Sequence, residues 1–338
     1  MYNIPFPLSP DTGGDTAEPA PARIGVIGCG HIVRTVYGPL LAARPQLASV
    51  VALCDRHAPA AADIERQWFP AARVYEEIEA MLCRENLEAV LVLTTESASA
   101  RVATICLEAG VMVYLEKPPA LSSATLQDLL AAERASAACV YAAFNRRHTP
   151  LFHQLRLPPG GLRRVHGRLS RKNRRLEDFP FTSVHLIDSA QFFARHTFDS
   201  VEVDYVRNGT SGWRLHGRLG NGASCDLSFY PDGAAIDEYL RFESGGGSCE
   251  LRFSVPGMLP SEVSLRYFDL QGNLQHEQVD GGDDGLFSMG YGPCLELFLE
   301  HLRRGDLEGS AHRLYTCIRT VEILEAMRQS IHATLAQQ

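Results

Sequence analysis

The chain has 338 residues, 45% of them hydrophobic and 21% charged, with a net charge of −8. That length suits two domains with ample cores, and the ordinary apolar fraction excludes disorder, collagen-like repeats and long coiled coils for most of the chain. The acidic balance argues against general affinity for nucleic acid or anionic membranes, and no apolar run reaches the roughly 18 residues of a membrane span.

The first segment, residues 1–22, holds five Pro and two Gly among small and acidic residues and reads as a flexible arm. It opens MYNIPFPLSP, without a basic or long apolar stretch, so no secretory signal is expected. The nine cysteines are odd in number and form no CxxC, so neither a disulfide framework nor a metal site is signalled. A reducing, cytoplasmic setting is expected. Of the 32 Lys and Arg residues, only Lys117 and Lys172 are lysines.

Residues 23–145 alternate short apolar runs with amphipathic stretches. The runs Arg23–Ile27, Ser49–Cys54, Ala89–Leu93, Val111–Leu115 and Cys139–Ala143 predict strands. Helices are predicted over His31–Ala43, Pro59–Gln67, Glu76–Arg84, Ser99–Ala109 and Ser122–Ser136. Near-continuous apolar strands between such helices imply a doubly wound parallel sheet covered on both faces, a Rossmann-type α/β domain.

Residues 146–338 read differently. Short helices are predicted near Pro150–Leu157 and Ser183–Ala194. Strand-like runs follow at Val201–Arg207, Trp213–Leu219, Ser224–Tyr230, Glu238–Glu243, Cys249–Phe253 and Glu262–Phe268, separated by turn pairs such as Asn208-Gly209 and Pro231-Asp232-Gly233. Two helices, Pro293–Arg304 and Ala311–His332, close the chain. This is an α+β domain with a large open, mostly antiparallel sheet.

Gly28-Cys29-Gly30 follows a strand and opens a helix, the context of a dinucleotide turn. Gly28 allows the tight turn and Gly30 a close backbone approach to a pyrophosphate. Cys29, His31 and Ile32 then present N–H donors and the positive end of the helix dipole. Val33 stands where a third glycine is usual. Asp55, at the end of the next strand, suits the two ribose hydroxyls of NAD and repels a 2′-phosphate, whereas Arg56 beside it leaves NADP open. Thr94 and Thr95 end a further strand and would flank the nicotinamide ribose.

GVIGCGHI at Gly25–Ile32, Glu108-Ala109-Gly110 with VYLEKP ending at Pro118, AFNRRHTP at Ala143–Pro150 and HLID at His185–Asp188 together resemble the glucose–fructose oxidoreductase, inositol dehydrogenase and MocA (Gfo/Idh/MocA) family. The resemblance spans about Arg23 to Ser330. It implies hydride transfer between nicotinamide and a secondary alcohol or ketone of a sugar-like or cyclitol-like small molecule. It also implies a homodimer or homotetramer formed through the second domain's sheet. Lys117 matches the family's central lysine and His185 its catalytic histidine. The residue type makes sense: an amine can exchange a proton near neutrality when partly desolvated beside a cation, and a guanidinium cannot. Glu116 is placed on the cofactor side, orienting the lysine or closing a local hydrogen bond.

Candidate substrate residues are Asn145, Arg146, Lys172, Asn173, Thr182, Asp188 and Tyr291. Asp188, one turn after His185, is placed to fix the imidazole tautomer. Tyr291 would reach inward from a glycine-rich lid, Gly281–Pro293. Two departures from the family pattern are Ser99, where a histidine is frequent, and Phe181, where an aspartate is usual. Phe179 and Phe181 keep open an imine or natural-product intermediate as substrate. Val33, Ser99 and Phe181 also keep open a non-catalytic nicotinamide-nucleotide sensor or partner protein. The run 163–175 holds seven Lys or Arg in 13 residues. On a strand it would project Arg164, His166 and Arg168 from one face, as an anion site or, more simply, as a solvated or salt-bridged face.

Overall fold

The computed structural model describes residues 20–208, 210–254, 262–281, 285–307 and 312–336. Most of the expected N-terminal arm, Gly209 of one expected turn and residues 282–284 of the expected lid lie outside the described residues. The chain forms two compact units.

The first unit takes its described residues from 20–143 and from Cys294–Ile318. Its strands are β1 (Ala22–Ile27), β2 (Ala48–Cys54), β3 (Arg73–Tyr75), β4 (Ala89–Val92), β5 (Met112–Glu116) and β6 (Val140–Ala143). They lie in the order β3-β2-β1-β4-β5-β6, with every pair parallel. β4 and β6 are buried along their whole length, as their unbroken apolar sequence requires. The helices between them are α1 (Gly38–Ala42), α2 (Ala58–Trp68), α3 (Ile78–Arg84), α4 (Glu96–Glu108) and α5 (Ser123–Ala135). Ser122 caps α5 by accepting the Thr125 N–H at 3.2 Å. Strand order reverses between β1 and β4, and doubly wound sheets bind ligands beyond the carboxyl ends of their strands at such a point.

The segment between β1 and α1 holds a local irregularity. The predicted helix is present from residue 31, but Val33–Tyr37 form a π-helical turn, and the Gly38 N–H reaches back to the Val33 carbonyl. A Cβ at Gly38 would fall 2.7 Å from that carbonyl oxygen and 2.6 Å from the Trp68 ring. The widened turn starts at the position where the third glycine is missing, and Val33 is fully buried there.

The second unit takes its described residues from Phe144–Pro293 and from 319–336. Its sheet has eight strands in the order β14-β13-β12-β11-β7-β10-β9-β8. These are β7 (Leu162–Ser170), β8 (Phe198–Asn208), β9 (Thr210–Leu219), β10 (Ser224–Tyr230), β11 (Asp237–Ser244), β12 (Gly247–Ser254), β13 (Glu262–Phe268) and β14 (Leu274–Asp280). The sheet is antiparallel except where β7 runs parallel to β10. Helix α6 (Pro180–Ala194) packs on the central strands and is buried over nearly its whole length. Helix α7 (Tyr291–Arg304) begins in this unit and continues from Cys294 in the first, and α8 (Ile318–Ala336) returns to the second from Arg319. The Trp213 indole on β9 donates to the Met327 carbonyl of α8 at 3.0 Å.

On β7, Val165, Gly167 and Leu169 are buried while Arg164, His166 and Arg168 lie on the other face. That face is laced by cross-strand pairs. Arg164 meets Asp226 at 3.1 Å, His166 meets Glu243 at 3.1 Å, Arg252 meets Asp237 at 2.7 Å and Arg266 meets Glu277 at 2.6 Å. Within the basic run, Arg164 and His166 are thus answered by carboxylates of neighbouring strands, whereas the Arg168 guanidinium lies over the Tyr230 ring at 4.7 Å. No described helix is long and apolar enough to cross a membrane.

Candidate active site

At the carboxyl ends of β1, β2 and β4 a cleft of about 270 Å³ is lined by Gly28, Gly30, Asp55, Arg56, Thr94 and Thr95, among others. All six were expected from the sequence to meet a dinucleotide. Gly28 has φ +91°, and a Cβ there would lie 2.7 Å from the Leu93 carbonyl oxygen. Only glycine combines that backbone with that approach. Gly30 differs: a Cβ there would meet no protein atom within 4 Å, so it would take up only cleft space. An absent side chain that the protein does not need, at the mouth of a helix, fits a bound diphosphate.

Asp55 anchors the turn. One carboxylate oxygen accepts the Cys29 N–H at 2.7 Å and the other the His57 N–H at 2.9 Å. The Cys29 thiol is pushed up to about 12, first by burial and then by Asp55, so it stays a neutral thiol packed behind the turn. His31 is exposed and Ile32 partly so. Thr95 precedes α4 in an extended conformation and its carbonyl accepts the Ala98 and Ser99 N–H groups. Ser99 is turned inward, its hydroxyl donating to the Glu96 carbonyl at 3.0 Å, which makes it part of the helix's first turn.

Sequence reasoning missed several lining residues: Glu76, Ile78, Ala98, Arg101 and Val102. The last three recur at helical spacing after Thr95, the signal that would have placed them on the cleft face of α4. Arg101 adds a second guanidinium beside Arg56.

Lys117 directly follows β5, on the same carboxyl edge, and is joined to Pro118 by a cis peptide bond. Glu116 closes two local hydrogen bonds. One carboxylate oxygen accepts the Lys117 main-chain N–H at 3.0 Å, and the other accepts the Tyr37 hydroxyl. Burial raises the Glu116 pKa above the ordinary carboxylate value, while the Lys117 ammonium and the Tyr37 hydrogen bond pull it back. Tyr37 lies 79 positions away, so no local pattern pointed to it.

In the second unit the candidates separate. Arg146 is buried, with its guanidinium 2.9 Å from Glu238 and 3.7 Å from the centre of the Phe253 ring. Glu238, only 1% exposed, is shared with Arg171. Asp188 is not occupied with an imidazole; it forms a two-pronged ion pair with Arg147 at 2.9 and 2.5 Å, and Arg147 lies over the Phe144 ring. The Asn145 amide donates to the Met289 carbonyl at 2.9 Å, and Gly290 packs so closely that a Cβ would fall 2.1 Å from the Asn145 carbonyl oxygen. Within the described part of the expected lid, Leu286, Ser288 and Met289 are buried, while Phe287 is exposed.

His185 is buried in the first half of α6, and Thr182 precedes it by one turn. Phe181 lies under the Arg328 guanidinium at 5.8 Å. Lys172 and Asn173 are exposed. Asn173 has φ +54° and its N–H donates to Asp232, making it a turn residue. Tyr291, partly exposed, begins α7 close enough to Arg146 to act on its charge. The unforeseen residue here is Glu238. Its signal was present in the alternation of β11, where Glu238, Leu240, Phe242 and Ser244 share the inward face.

Residues 22–144 match the oxidoreductase family with an NAD-binding Rossmann fold, GFO_IDH_MocA. An inositol 2-dehydrogenase of Gluconacetobacter diazotrophicus is 32% identical over 130 residues, 37% of each protein. An uncharacterized oxidoreductase of Schizosaccharomyces pombe is 30% identical over 99 residues, 29% of this chain and 27% of that one. These matches thus span between about a quarter and two fifths of the relatives' lengths. Solved structures align over much more of the chain. A UDP-N-acetylglucosamine 3-dehydrogenase from Acidithiobacillus ferrooxidans superposes with TM-score 0.75 at 17% identity, covering 93% of this chain and 99% of that one. A 3-ketoreductase from Actinomadura kijaniata, solved with NADP and TDP-benzene, gives 0.72 at 19%, covering 92% and 98%. A Gfo/Idh/MocA family oxidoreductase from Vibrio cholerae gives 0.74 at 18%, covering 93% and 99%. Residues 22–144 thus match the NAD-binding Rossmann domain of the Gfo/Idh/MocA oxidoreductase family, and the fold along nearly the whole chain is similar to that of the Vibrio cholerae protein.

Proposed function

We propose that the protein is a nicotinamide-dependent oxidoreductase acting on a secondary alcohol or ketone of a sugar-like or cyclitol-like small molecule. The observation that carries this reading is the cleft at the switch point of the 3-2-1-4-5-6 sheet, with Gly28, Gly30 and Asp55 on its wall and Lys117 at the end of β5. The bound nicotinamide supplies the hydride acceptor or donor. Gly30 admits the diphosphate to the backbone, and Asp55 receives the ribose hydroxyls, which favours NAD over NADP. Lys117 takes the hydroxyl proton as the alcohol is oxidised, or returns it to the carbonyl oxygen in reduction. His185 is assigned as the second proton-handling group. With Asn145, Arg146 and Asp188 engaged inside the protein, Lys172, Asn173, Thr182 and Tyr291 are the remaining candidates to meet substrate. The charged open face of the eight-stranded sheet is assigned to pairing with further copies of the chain. The nine cysteines, all free thiols, fit a reducing compartment such as the cytoplasm.

The test has two steps. Titration with NADH and with NADPH, followed by nicotinamide fluorescence, should show tighter binding of NADH; a preference for NADPH would shift the assignment to Arg56 and Arg101. Turnover is then measured with NAD and a panel that includes myo-inositol and UDP-N-acetylglucosamine. Lys117→Ala should lose roughly 10²- to 10⁴-fold in turnover while still binding NADH. Turnover at the parent rate in that variant would refute the role of Lys117.

A further inference from the structure

Tyr37 is a buried phenol whose position is over-determined. It sits at the end of the π-helical turn, meets the Tyr114 ring edge-on at 5.7 Å, and is fully shielded from solvent. Tyr114 in turn packs against Tyr141 and Phe298, with ring centres at 5.7 and 5.1 Å. A buried phenol needs a partner for its hydroxyl. This one is given a carboxylate, on the residue immediately before Lys117.

We propose that Tyr37 is a positioning residue for the reaction: its hydroxyl holds Glu116 as a carboxylate beside Lys117, and turnover requires Glu116 in that ionised form. The proposal rests on the assignment of Lys117 above. The hydrogen-bond pattern carries it. One Glu116 oxygen accepts a main-chain N–H, which cannot itself accept a proton. With the other oxygen accepting the Lys117 N–H, a proton arriving along the hydroxyl row goes to the oxygen facing Tyr37, and that hydroxyl then turns round. A route exists, because the Tyr114 hydroxyl is 3.3 Å from that of Tyr37 and donates onward to the Cys294 sulfur at 3.5 Å. The hydroxyl row thus has two polarities. With Glu116 ionised, Tyr37 donates to it; with Glu116 protonated, Tyr37 donates to Tyr114. Burial pushes both phenols above their ordinary values, so they remain hydroxyls in either state.

The groups that act on Glu116 come from each neighbouring element. Lys117 and the Tyr37 donor favour the carboxylate, and burial and Glu96, at the start of α4, oppose it. Removing the Tyr37 hydroxyl therefore shifts the balance toward the neutral acid.

The test compares the parent protein, Tyr37→Phe and Glu116→Gln, each with NAD bound. The protonated carboxyl band is followed by infrared difference spectroscopy against pH, and Glu116→Gln identifies which band is Glu116. Tyr37→Phe should move the midpoint up by about one pH unit, leaving roughly tenfold less carboxylate at a pH on that limb. The acid limb of kcat/KM, with whichever of myo-inositol or UDP-N-acetylglucosamine is turned over, should follow the same shift and should be absent in Glu116→Gln. A parent-like midpoint in Tyr37→Phe would overturn the proposal, and so would a limb that stays in place while the midpoint moves. A merely structural tyrosine would lower rate or stability without moving either. If Lys117→Ala retains turnover while the Tyr37→Phe midpoint moves, the lysine assignment falls and the Tyr37–Glu116 coupling stands. Should Tyr37→Phe fail to fold, Glu116→Gln decides alone, since an acid limb surviving in it refutes the requirement.

Discussion

Two glutamates, Glu238 fully buried and Glu116 partly so, show how the same side chain is put to different uses. Glu238 faces two guanidiniums, Arg146 and Arg171. Burial works against its charge, but the two cations outweigh burial and hold its pKa below the ordinary value. Glu116 faces one hydroxyl, that of Tyr37, and a main-chain N–H, and there burial wins. Salt bridges inside a protein fix a charge, whereas hydroxyls tolerate either protonation state. The first arrangement pins strands and loops together. The second leaves a carboxyl able to titrate beside a candidate catalytic lysine.

The largest effect that tests this contrast is on stability. Glu238→Ala leaves Arg146 buried without its carboxylate and should cost about 3–5 kcal/mol in urea unfolding. Arg147→Met should cost a comparable amount by stranding Asp188. Glu116→Gln keeps a hydrogen-bonding group among neutral partners and should lie within about 1 kcal/mol of the parent at neutral pH. Equal losses at both glutamates would break the comparison.

A smaller effect is the dependence on pH. The depressed pKa of Glu238 contributes stability that is present above its unfolded value, about 4.5, and is lost as pH falls through its folded value. Glu116 has a raised folded pKa, so its contribution runs the other way: it is fully present below the unfolded value and is lost as pH rises through the folded value. Glu238→Gln should therefore flatten the acid loss of stability, and Glu116→Gln should remove a loss on the upper side. Thermal melts across pH 3–7 with both variants would check the signs, at about the precision of one titrating group.

The smallest effects separate fold from ligand in the glycine turn. Gly28→Ala strains a positive-φ position against Leu93 and should destabilise by about 1–3 kcal/mol, with cofactor affinity falling as well. Gly30→Ala should leave the melting temperature near that of the parent and weaken NADH binding. Loss of stability at Gly30 would show that the turn, and not the ligand, demands that glycine.

The parallel sheet was legible because strands buried on both faces must be near-continuous apolar runs, as at Ala89–Val92 and Val140–Ala143. The glycine turn, Asp55 and the two threonines were legible because their chemistry is local to strand ends. Edge strands were not. Arg73–Tyr75 is three residues long and mostly exposed, and Leu274–Asp280 is mostly polar, with its two apolar residues, Leu274 and Val279, exposed. The parallel pairing of β7 with β10 was hidden because turn signals announce only neighbours in sequence. Partners of buried charges were hidden for the same reason: Arg146 and Glu238 are 92 residues apart, and Tyr37 and Glu116 are 79 apart. Asn145 and Arg146 read as candidate substrate contacts, yet both are buried and engaged with Met289 and Glu238. Buried polar groups carry no periodic signature until the groups that satisfy them are known.

The allotment of residues to the two units bears on how the protein is made. The edge strand β6 is closed by a late piece of chain: His312 stacks on Tyr141 with ring centres 4.2 Å apart, and its carbonyl accepts the Ala142 N–H at 2.9 Å. That piece leaves the ribosome only after all eight strands of the other sheet. While residues 144–293 are made, the nucleotide domain waits with Tyr141 and Tyr114 uncovered at its flank, a nascent intermediate that exposes aromatic surface. A fragment cut after Ala143 would keep that flaw permanently. Grafting the domain elsewhere would require carrying Cys294–Ile318 along as a separate strip, so the first unit cannot be excised as one continuous length of chain.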